Sequence, residues 1–424
     1  MASQSVKNKV YDVVVIGSGV SGLTCACILG KLGKKVLVLE QHDRPGGCLH
    51  TFNEGGFQFS SGNHYLGEFD EVSKKLIRTC GSEVISSKYK SGTIETFIID
   101  GKKVSYTADT WSKLFGSKRK IIKAADTMYW VAFVKLAPLW LATIVWCIVR
   151  VFCGYAFEPY RDYASPLLRM QEGDVGCEPI TMVGAAVTRH YMNGLSKLST
   201  KFVYNACRTI KDQGGRVVVK QTVSKILHDG VISNGTKISC KIVISSVGAL
   251  HTCALACETL SVMKVAQHIG QSVEHNFVFI GTRDTLPSVT WIKEGEDYLF
   301  VSYERGAVHL ISETMDHEGM KKLFRKHFPV KIEHESCATK YSVKKYLGRF
   351  SSYGLACSAD RFSKFQCVRE LRPETSMPNL YLTGQDILMP GIASSLMTAM
   401  MTCRQVMKVS LVDTILQNDI MDRI

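Results

Sequence analysis

A glycine-rich loop near the start of the chain carries the residues best placed for chemistry. Gly17, Gly19 and Gly22 form the pattern G-x-G-x-x-G, and the acid Glu40 follows about 20 residues after the loop. In this pattern the first glycine permits a tight turn, the second lets the backbone touch a pyrophosphate, and the third lets a helix pack closely on a sheet. The carboxylate of Glu40 is suited to hold a ribose hydroxyl and disfavours a 2′-phosphate. These residues therefore predict a site for an adenine dinucleotide.

Two strands and a helix must position these residues. The β-branched run 13–16 leads into the loop, a helix follows that should end near Gly33, and a second strand covers 35–39. The start of the helix would bind phosphate, since its unpaired N–H groups and its dipole favour an anion. A glycine-rich helix start alone is often only a close packing point. Here the strand, helix, second strand and acid all occur in the required order, which favours the dinucleotide site.

The turn after the second strand distinguishes FAD from NAD. Gln41 follows the acid directly, and the next residues add Arg44 and the glycine pair Gly46-Gly47, which completes the pattern E-x-x-x-R-x-G-G. This extension resembles the large FAD-dependent family that contains amine oxidases and phytoene desaturases. Plain NAD dehydrogenases do not generally carry it. The resemblance implies FAD as the cofactor.

A second group of cofactor-site features lies near the C-terminus. Residues 377–386 contain a turn, a short buried strand and the motif Gly384-x-Asp386, and Gly391 precedes a helix predicted over 392–407. Asp386 can accept from a ribityl hydroxyl, and the positive end of the helix would face the pyrimidine edge of a flavin, which is negative when reduced. An ordinary strand–turn–helix is the alternative. It leaves the nucleotide-site features at both ends of the chain unexplained.

Length and composition bound the class of protein. The 424 residues are enough for two domains, and the 15 cysteines lack C-x-x-C pairs, which indicates reduced, mostly buried thiols. No metal-ligand cluster and no serine-hydrolase motif is recognisable, so no metal site is predicted. The net charge of +14 permits an anionic partner. A nucleic-acid motif with interleaved aromatics is missing, so no nucleic acid is expected and a membrane surface is the better partner.

The apolar segment 128–157 is the candidate for that membrane contact. Five basic residues precede it, namely Lys113, Lys118, Arg119, Lys120 and Lys123. Within it the charges are Lys135 and Arg150, and the uncharged part, 136–149, is shorter than the roughly 20 residues that span a bilayer. We expect a helix lying in the membrane interface. A true span, with Lys135 and Arg150 snorkelling to the headgroups, and a wholly buried helix are the alternatives.

The other patterns predict an α/β fold that is discontinuous in sequence. The expected elements are a helix after residue 71, a hairpin around Asp100-Gly101, a helix over 193–210, and strands over 216–220, 222–227 and 241–246. Residues 1–70, 189–255 and 375–424 are assigned to a Rossmann-like FAD-binding domain. Residues 71–188 and 256–374 are assigned to an inserted mixed α+β domain that faces substrate and membrane. Glu304, His309 and His317 lie on this second part and are expected to be structural.

The motifs together resemble the retinol saturase branch of the phytoene desaturase and carotenoid isomerase family. The matching stretches are VVVIGSGVSGL, VLVLEQHDRPGGCLHTF, GNHYLG, GGRVVVKQTV, IVISSVG and YLTGQDI. In this family the residue matching Val223 contacts the adenine through its backbone. The resemblance implies a cofactor-binding set of Gly17, Gly19, Gly22, Glu40, Gln41, Arg44, Gly46, Gly47, Val223, Gly384, Asp386 and Gly391.

The resemblance also implies an activity. The chain would be an FAD-dependent oxidoreductase acting on CH–CH bonds of an apolar polyene, most closely by saturating a double bond of all-trans-retinol or a related retinoid. His64 and Tyr65 are the candidates for a catalytic acid, because their segment returns beside the flavin in this family. One dinucleotide fingerprint is present, so an external electron donor is expected. The resemblance implies the endoplasmic reticulum membrane, and the lack of an apolar signal region suggests attachment from the cytosolic side.

Two departures from the family pattern keep other functions open. Residues 191–195 read YMNGL where the family has Y-P-x-G-G, and the helical insert before them is shorter than in retinol saturases. That insert should roof an apolar substrate tunnel. The alternatives are a carotenoid or retinoid isomerase or desaturase, and a catalytically silent flavin- or lipid-binding membrane protein. An amine oxidase is less favoured, because the motif at Gly384-Gln385-Asp386 matches the saturase form better.

Overall fold

The structure is a computed structural model. It describes residues 10–63, 66–67, 69–87, 95–106, 135, 137–138, 140–145, 147, 195–272, 274–347, 353–356, 360–361 and 364–409. Its strands are β1 (Tyr11–Ile16), β2 (Val36–Leu39), β3 (Thr51–Glu54), β4 (Phe57–Ser60), β5 (Leu66–Gly67), β6 (Val84–Ser87), β7 (Glu95–Ile99), β8 (Lys102–Tyr106), β9 (Leu195–Leu198), β10 (Arg216–Val218), β11 (Val223–Leu227), β12 (Gly230–Ser233), β13 (Thr236–Ser245), β14 (Asn276–Gly281), β15 (Val289–Glu294), β16 (Asp297–Glu304), β17 (Ala307–Ser312), β18 (His334–Ala338) and β19 (Leu380–Leu382). Its helices are α1 (Val20–Lys31), α2 (Glu71–Thr79), α3 (Phe202–Asp212), α4 (Ala249–Leu255), α5 (Val262–Ile269), α6 (His317–His327), α7 (Lys340–Leu347), α8 (Phe365–Glu370) and α9 (Ile392–Val406), with a 3₁₀ turn at Gly47–Leu49.

The first sheet holds the glycine-rich loop. Strand β1 lies between β2 and β13 as parallel neighbours, so that Val13 pairs with both Val36 and Ile242. Strand β10 adjoins β2, and β19 adjoins the end of β13. Strands β11 and β12 extend the sheet antiparallel from the start of β13. Every residue of β2 is buried, because strands of a parallel sheet are covered on both faces. The predicted α/β, Rossmann-like fold class is confirmed.

The second sheet is mostly antiparallel. Its strand order is β18-β14-β17-β16-β15-β7-β8, and only the β7–β15 pair is parallel among the described strands of this sheet. The strands come from residues 95–106 and 276–338, whereas the first sheet uses 11–39, 216–245 and 380–382. Helix α6 covers one face, with Phe324 fully buried in the core. The predicted boundaries between two domains stay a prediction.

Helix α1, near the start of the sequence, packs against helix α9, near its end. All of its residues from 21 to 29 are buried, which is unusual for a surface helix and indicates cover on several sides. Helix α9 packs against it through sulfur contacts: the Cys25 thiol lies 3.6 Å from the Ala399 carbonyl oxygen, and the Cys403 thiol lies 3.7 Å from the Cys25 carbonyl oxygen. The described cysteines are free and most are buried, as predicted. The first and last parts of the chain therefore share one core.

Most of the turns, strands and helices predicted from the sequence are confirmed, but the predicted start of one helix is wrong. Gly33, at a φ of 79°, follows the end of α1, and Asp100 and Gly101, at φ values of 48° and 80°, close the β7–β8 hairpin. The helix predicted over 193–210 begins only at Phe202. Residues 195–198 of this stretch instead form strand β9, which pairs with β5 and β6. Cross-strand pairing outweighs local helix propensity at this position.

Candidate dinucleotide-binding site

The three glycines of the loop have different surroundings. Gly17 has a φ of 90°, and a Cβ there would lie 2.6 Å from Ser246 Oγ. A Cβ at Gly22 would overlap the Gly17 carbonyl oxygen and lie 2.8 Å from Ser246 Oγ. A Cβ at Gly19, in contrast, would meet no heavy atom of the described residues within 4 Å. The packing of the protein itself therefore requires glycine at 17 and 22, whereas the backbone at Gly19 faces open space at the start of α1.

Glu40 holds the glycine loop together. Its buried carboxylate accepts the Ser18 N–H at 3.0 Å and the Ser18 hydroxyl at 2.5 Å through Oε2, and the His42 N–H at 3.0 Å through Oε1. Ser18 Oγ in turn accepts the Gly46 N–H at 3.0 Å. Each carboxylate oxygen has about two acceptor positions, so Oε1 can also accept a ribose hydroxyl. Glu40 thus ties the loop to the glycine pair and stays able to bind a ribose.

A cavity opens beside this network. Its volume is about 140 Å³, below the roughly 300–1,000 Å³ of pockets that hold a whole small ligand, so it suits one part of a dinucleotide. The lining residues are Ile16, Gly17, Ser18, Gly19, Leu39, Glu40, Gln41, His42, Gly47, Cys48, Gln221, Val223, Ser246, Val247, His251 and Leu255. Six members of the predicted cofactor set line this one cavity. Glu40 and Val223, the residues predicted to contact the ribose and the adenine, both line it, so the adenosine end is the part predicted to bind here.

The glycine pair lies directly on the glycine-rich loop. Gly46 has a φ of 125°, which favours glycine, and a Cβ at Gly47 would lie 3.2 Å from the Cα of Gly19. Arg44 and Gln41 are exposed. Burial and the charge of Arg44 lower the pKa of His50. Gly47 therefore forms a second wall beside the open space at Gly19, and the role of Arg44 stays a prediction.

The C-terminal motif reaches the same loop from the other side. Gly384 has a φ of 105°, and a Cβ there would lie 3.3 Å from Ser21 Oγ in the first turn of α1. Gly391 precedes α9 at a φ of 112°, and a Cβ at this glycine would meet no heavy atom of the described residues within 4 Å. The action of the α9 dipole on a bound flavin stays a prediction.

Asp386 connects three segments. It is buried, and its carboxylate accepts the Ala249 N–H at 2.8 Å through Oδ2 and the Leu355 N–H at 2.9 Å through Oδ1. Ala249 is the first residue of α4, so the acid also satisfies an N–H group that the helix itself leaves unpaired. These contacts give Asp386 a structural role that the sequence did not indicate. Its contact with a ribityl hydroxyl stays a prediction.

The two candidate acids cannot be placed. His64 and Tyr65 lie outside the described residues, and their catalytic role stays a prediction. The residue before them, Asn63, is buried and donates from Nδ2 to the Leu198 carbonyl oxygen at 3.0 Å. The segment is therefore anchored to β9 where it leaves the described structure.

The other titratable residues are structural, as predicted. Glu304 forms an ion pair with Lys197 of β9. His309 is buried, and its Nε2 accepts the Ser60 N–H at 3.0 Å. His317 Nε2 lies 3.2 Å from the Ala338 carbonyl oxygen.

Sequence reasoning missed several residues of the cavity. Ser246 donates from Oγ to the Ile16 carbonyl oxygen at 2.8 Å and fills the space against the loop glycines. Its position at the carboxyl end of a predicted parallel strand was an available signal, because ligands bind there in α/β sheets. Ser18 could also have been identified from the sequence, because it is the variable residue between two loop glycines. His251 and Leu255 lie on α4 and carried no recognisable motif.

The described part of the apolar segment is docked on α8. Lys135 is buried, and its ammonium donates to the carbonyl oxygens of Val368 and Leu371 at 2.5 and 2.6 Å. Arg369 returns hydrogen bonds to the carbonyl oxygens of Lys135 and Ala137 at 2.9 and 2.7 Å. Burial, followed by the charges of Arg361 and Arg369, lowers the pKa of Lys135. These contacts contradict the alternative in which Lys135 snorkels to lipid headgroups.

The next helical turns present an apolar face. Residues 140–145 and 147 are helical, and Trp140 and Ile144 expose 68% and 52% of their surface, whereas Ala142 is fully buried. Residues four apart lie on one face of a helix. In the part of the chain that the structure describes, no helix has the length and hydropathy to cross a bilayer.

The fold is that of the Rossmann-like α/β class. The sequence profile of the NAD(P)-binding Rossmann-like domain matches residues 15–79. Among solved structures, a putrescine oxidase variant superposes with a TM-score of 0.64 at 15% identity, covering 95% of this chain and 99% of that one. A CLA-producing fatty acid isomerase from P. acnes superposes with a TM-score of 0.60 at 11% identity, covering 94% and 98%. These likenesses show the fold.

Over most of its length the chain is similar to all-trans-retinol 13,14-reductases. The Danio rerio protein of that name is 26% identical over 93% of this chain and 85% of its own. An inactive all-trans-retinol 13,14-reductase of Danio rerio is 26% identical over 57% of this chain and 48% of its own. A prolycopene isomerase of Daucus carota is 40% identical over 15% of this chain and 11% of its own. These similarities confirm the resemblance drawn from the sequence motifs.

Proposed function

We propose that the protein is an FAD-dependent oxidoreductase that saturates a carbon–carbon double bond of an apolar polyene, with a retinoid such as all-trans-retinol as the substrate. The observation that carries this proposal is the similarity to all-trans-retinol 13,14-reductases over 93% of the chain. A short shared motif would support only a cofactor. Similarity that extends through the second sheet supports a shared substrate class as well.

The residues present fit FAD. The open space at Gly19 can take a pyrophosphate, and Glu40 can accept from the ribose next to it. Gly47 lies against Gly19 and Gly384 lies against the first turn of α1, so both motifs reach the loop from which the flavin half would extend. All of these groups are backbone N–H donors, small residues or a carboxylate, which is the set that a dinucleotide requires.

The chemistry divides between cofactor and protein. FAD, when bound, would supply the hydride, with its electrons coming from an external donor. The protein would bind the polyene beside it, exclude water and supply a proton to the second carbon of the double bond. His64 or Tyr65 is the proposed proton donor. The dipole of α9 would favour negative charge on the cofactor near its N-terminus.

Incubation of the purified, FAD-loaded protein with all-trans-retinol and a chemical reductant tests this proposal. We expect a product that has gained two hydrogens, identified by mass spectrometry. An unchanged mass with altered retention would indicate an isomerase, and a loss of two hydrogens a desaturase. FAD-loaded protein that leaves every polyene unchanged would contradict the proposed activity.

A catalytically silent flavin- or lipid-binding protein is the second candidate. The sequence YMNGL at 191–195 departs from the family pattern, and one relative is named as an inactive reductase. In this case the flavin would be photoreduced cleanly and no polyene would be turned over. Mass spectrometry of the lipids that co-purify would then identify the bound molecule.

We also propose that the face carrying Trp140 and Ile144 lies in the membrane interface, on the cytosolic side of the endoplasmic reticulum. An indole and a branched aliphatic side chain bury favourably at the headgroup boundary, and a preceding basic cluster would add attraction to anionic lipids. A polyene substrate partitions into the same layer. The proposed contact would therefore place the enzyme where its substrate is dissolved.

Replacing Trp140 and Ile144 with glutamate tests this contact. We expect the fraction that floats with phosphatidylcholine–phosphatidylserine vesicles to fall at least about tenfold, because two apolar groups are lost and two negative charges are added. Tyr204→Glu is the matched control, since Tyr204 is 67% exposed on α3. Equal flotation of both variants and the unaltered protein would contradict an interfacial role for this face.

A further inference from the structure

A buried arginine outside the predicted site holds the C-terminal cofactor motif. Arg361 exposes only 2% of its surface. Its NH1 donates to the carbonyl oxygens of Leu355 and Ala356 at 2.8 and 3.3 Å, and its NH2 donates to those of Gln385, Asp386 and Leu388 at 2.8, 3.1 and 3.2 Å. A buried cation is costly unless it is fully hydrogen-bonded. The five carbonyl oxygens accept from both terminal nitrogens and so offset much of that cost.

These carbonyl oxygens belong to the turn that carries Asp386. Residues 385–388 lie between Gly384, which contacts α1, and Gly391, the residue that precedes α9. One guanidinium plane therefore fixes three peptide groups of a turn that regular secondary structure does not hold. Apolar packing would exclude water from the turn, but it would not fix the direction of its peptide groups, because hydrophobic contacts are non-directional.

The same arginine also sets the partner of the Asp386 carboxylate. The Leu355 carbonyl oxygen accepts from Arg361, and the N–H of the same residue donates to Asp386 Oδ1 at 2.9 Å. Segment 353–356 approaches Asp386 so closely that a Cβ at Gly354 would overlap Oδ1. Movement of Arg361 would shift this segment, and the carboxylate would lose a donor that orients it.

We propose that Arg361 is a positioning residue for the flavin half of the cofactor site. It acts through the carbonyl oxygens of residues 385–388 and through Leu355, and it fixes both the Asp386 carboxylate and the approach to the N-terminus of α9 before the cofactor binds. This inference rests on the proposed function in one respect, namely that the ligand is FAD. Arg361 itself is not proposed to touch the cofactor.

Arg361→Met and Arg361→Lys test the proposal. Methionine keeps most of the side-chain volume but removes every donor, so we expect FAD affinity at least about tenfold weaker. The flavin midpoint potential should become more negative, because a displaced α9 terminus stabilises the reduced anion less well. Lysine keeps the charge and some donors, so it should restore part of both. Affinity is measured by flavin fluorescence, and potential by dye titration.

Arg369→Met is the matched control. Arg369 also donates to backbone carbonyl oxygens, but these belong to residues 135 and 137 and not to the cofactor motif. This variant should be less stable to heat yet keep the FAD affinity and potential of the unaltered protein. If Arg361 only stabilised the fold, Arg361→Met would behave like this control, with lower thermal stability but unchanged FAD affinity and potential.

These measurements distinguish failure of the positioning role from failure of the proposed function. Arg361 variants that bind FAD with unchanged affinity and potential would overturn the positioning role. If Arg361→Met does not fold, the FAD affinity and the flavin midpoint potential of Arg361→Lys test the proposal instead. If the unaltered protein does not bind FAD in this assay, the proposed function fails instead, whatever the variants do.

Discussion

Gly22→Ala is expected to destabilise the protein and to weaken cofactor binding, whereas Gly19→Ala should weaken binding alone. A methyl group at position 22 overlaps the Gly17 carbonyl oxygen, which belongs to the backbone and cannot rotate away. Overpacking of this kind costs about 1–3 kcal/mol and sometimes more. The better helix propensity of alanine offsets only about 1 kcal/mol of that. We therefore expect the free energy of unfolding to fall by about 1–2 kcal/mol.

Gly19 provides the comparison, because only the bound cofactor should oppose a side chain there. Its φ of −66° suits alanine, and no heavy atom of the described part of the chain lies within 4 Å of the added Cβ. The unfolding free energy of the protein without cofactor should stay within about 0.5 kcal/mol of the original. FAD affinity should weaken at least about tenfold, because the methyl group occupies the space assigned to the pyrophosphate.

Urea unfolding and FAD titration of both variants check these two expectations. Normal FAD binding by Gly19→Ala would show that the pyrophosphate lies elsewhere. Normal stability of Gly22→Ala would show that α1 does not pack on the loop as closely as the structure has it.

Glu40→Leu should have an effect of similar size through lost hydrogen bonds. Leucine leaves the Ser18 N–H, the Ser18 hydroxyl and the His42 N–H without their acceptor. A buried polar group left unpaired costs about 1–3 kcal/mol, so the unfolding free energy should fall by about 3 kcal/mol or more. Loss of the ribose partner adds to this, and we expect FAD affinity to fall about a hundredfold.

Two further variants separate the contributions. Glu40→Gln keeps a carbonyl oxygen that can accept from Ser18 but turns an amide group toward the His42 N–H, so its stability and affinity should lie between those of Glu40→Leu and the original. Glu54→Gln changes an exposed acid that accepts from Ser336 at the surface, and it should change neither quantity. FAD affinity that is unchanged in Glu40→Leu would remove the acid from the cofactor site.

The first cofactor-binding unit was predictable because its determinants are local. The strand, loop, helix and acid lie within residues 13–40, and each has a recognisable pattern at short range. The helix over 392–407 was also predicted to within one residue of its observed end at Val406. The glycines of the predicted cofactor-binding set were recognisable from the sequence because they mark backbone conformations and close approaches that other residues do not tolerate.

The rest depended on contacts that short-range patterns do not record. Residues 195–198 become a strand because β5 and β6 lie on either side of it. Arg361 bonds backbone carbonyl oxygens, which every residue possesses, so no residue type at 385–388 could have indicated it. Asp386 was predicted as a cofactor ligand from its motif, but its bonds to Ala249 and Leu355 join parts of the chain that no local pattern connects.

The central position of β1 affects how the chain can be made. Its partner on one side, β2, follows almost at once, but its other partner is β13, and Asp12 and Lys241 at that junction are 229 residues apart. A ribosome adding about 5–20 residues per second leaves this strand edge unpaired for roughly 10–45 seconds. An open apolar strand edge is a site for aggregation. Nascent chains should therefore need chaperone protection of the first 40 residues until β13 has emerged, and slowed synthesis between them should reduce the soluble yield.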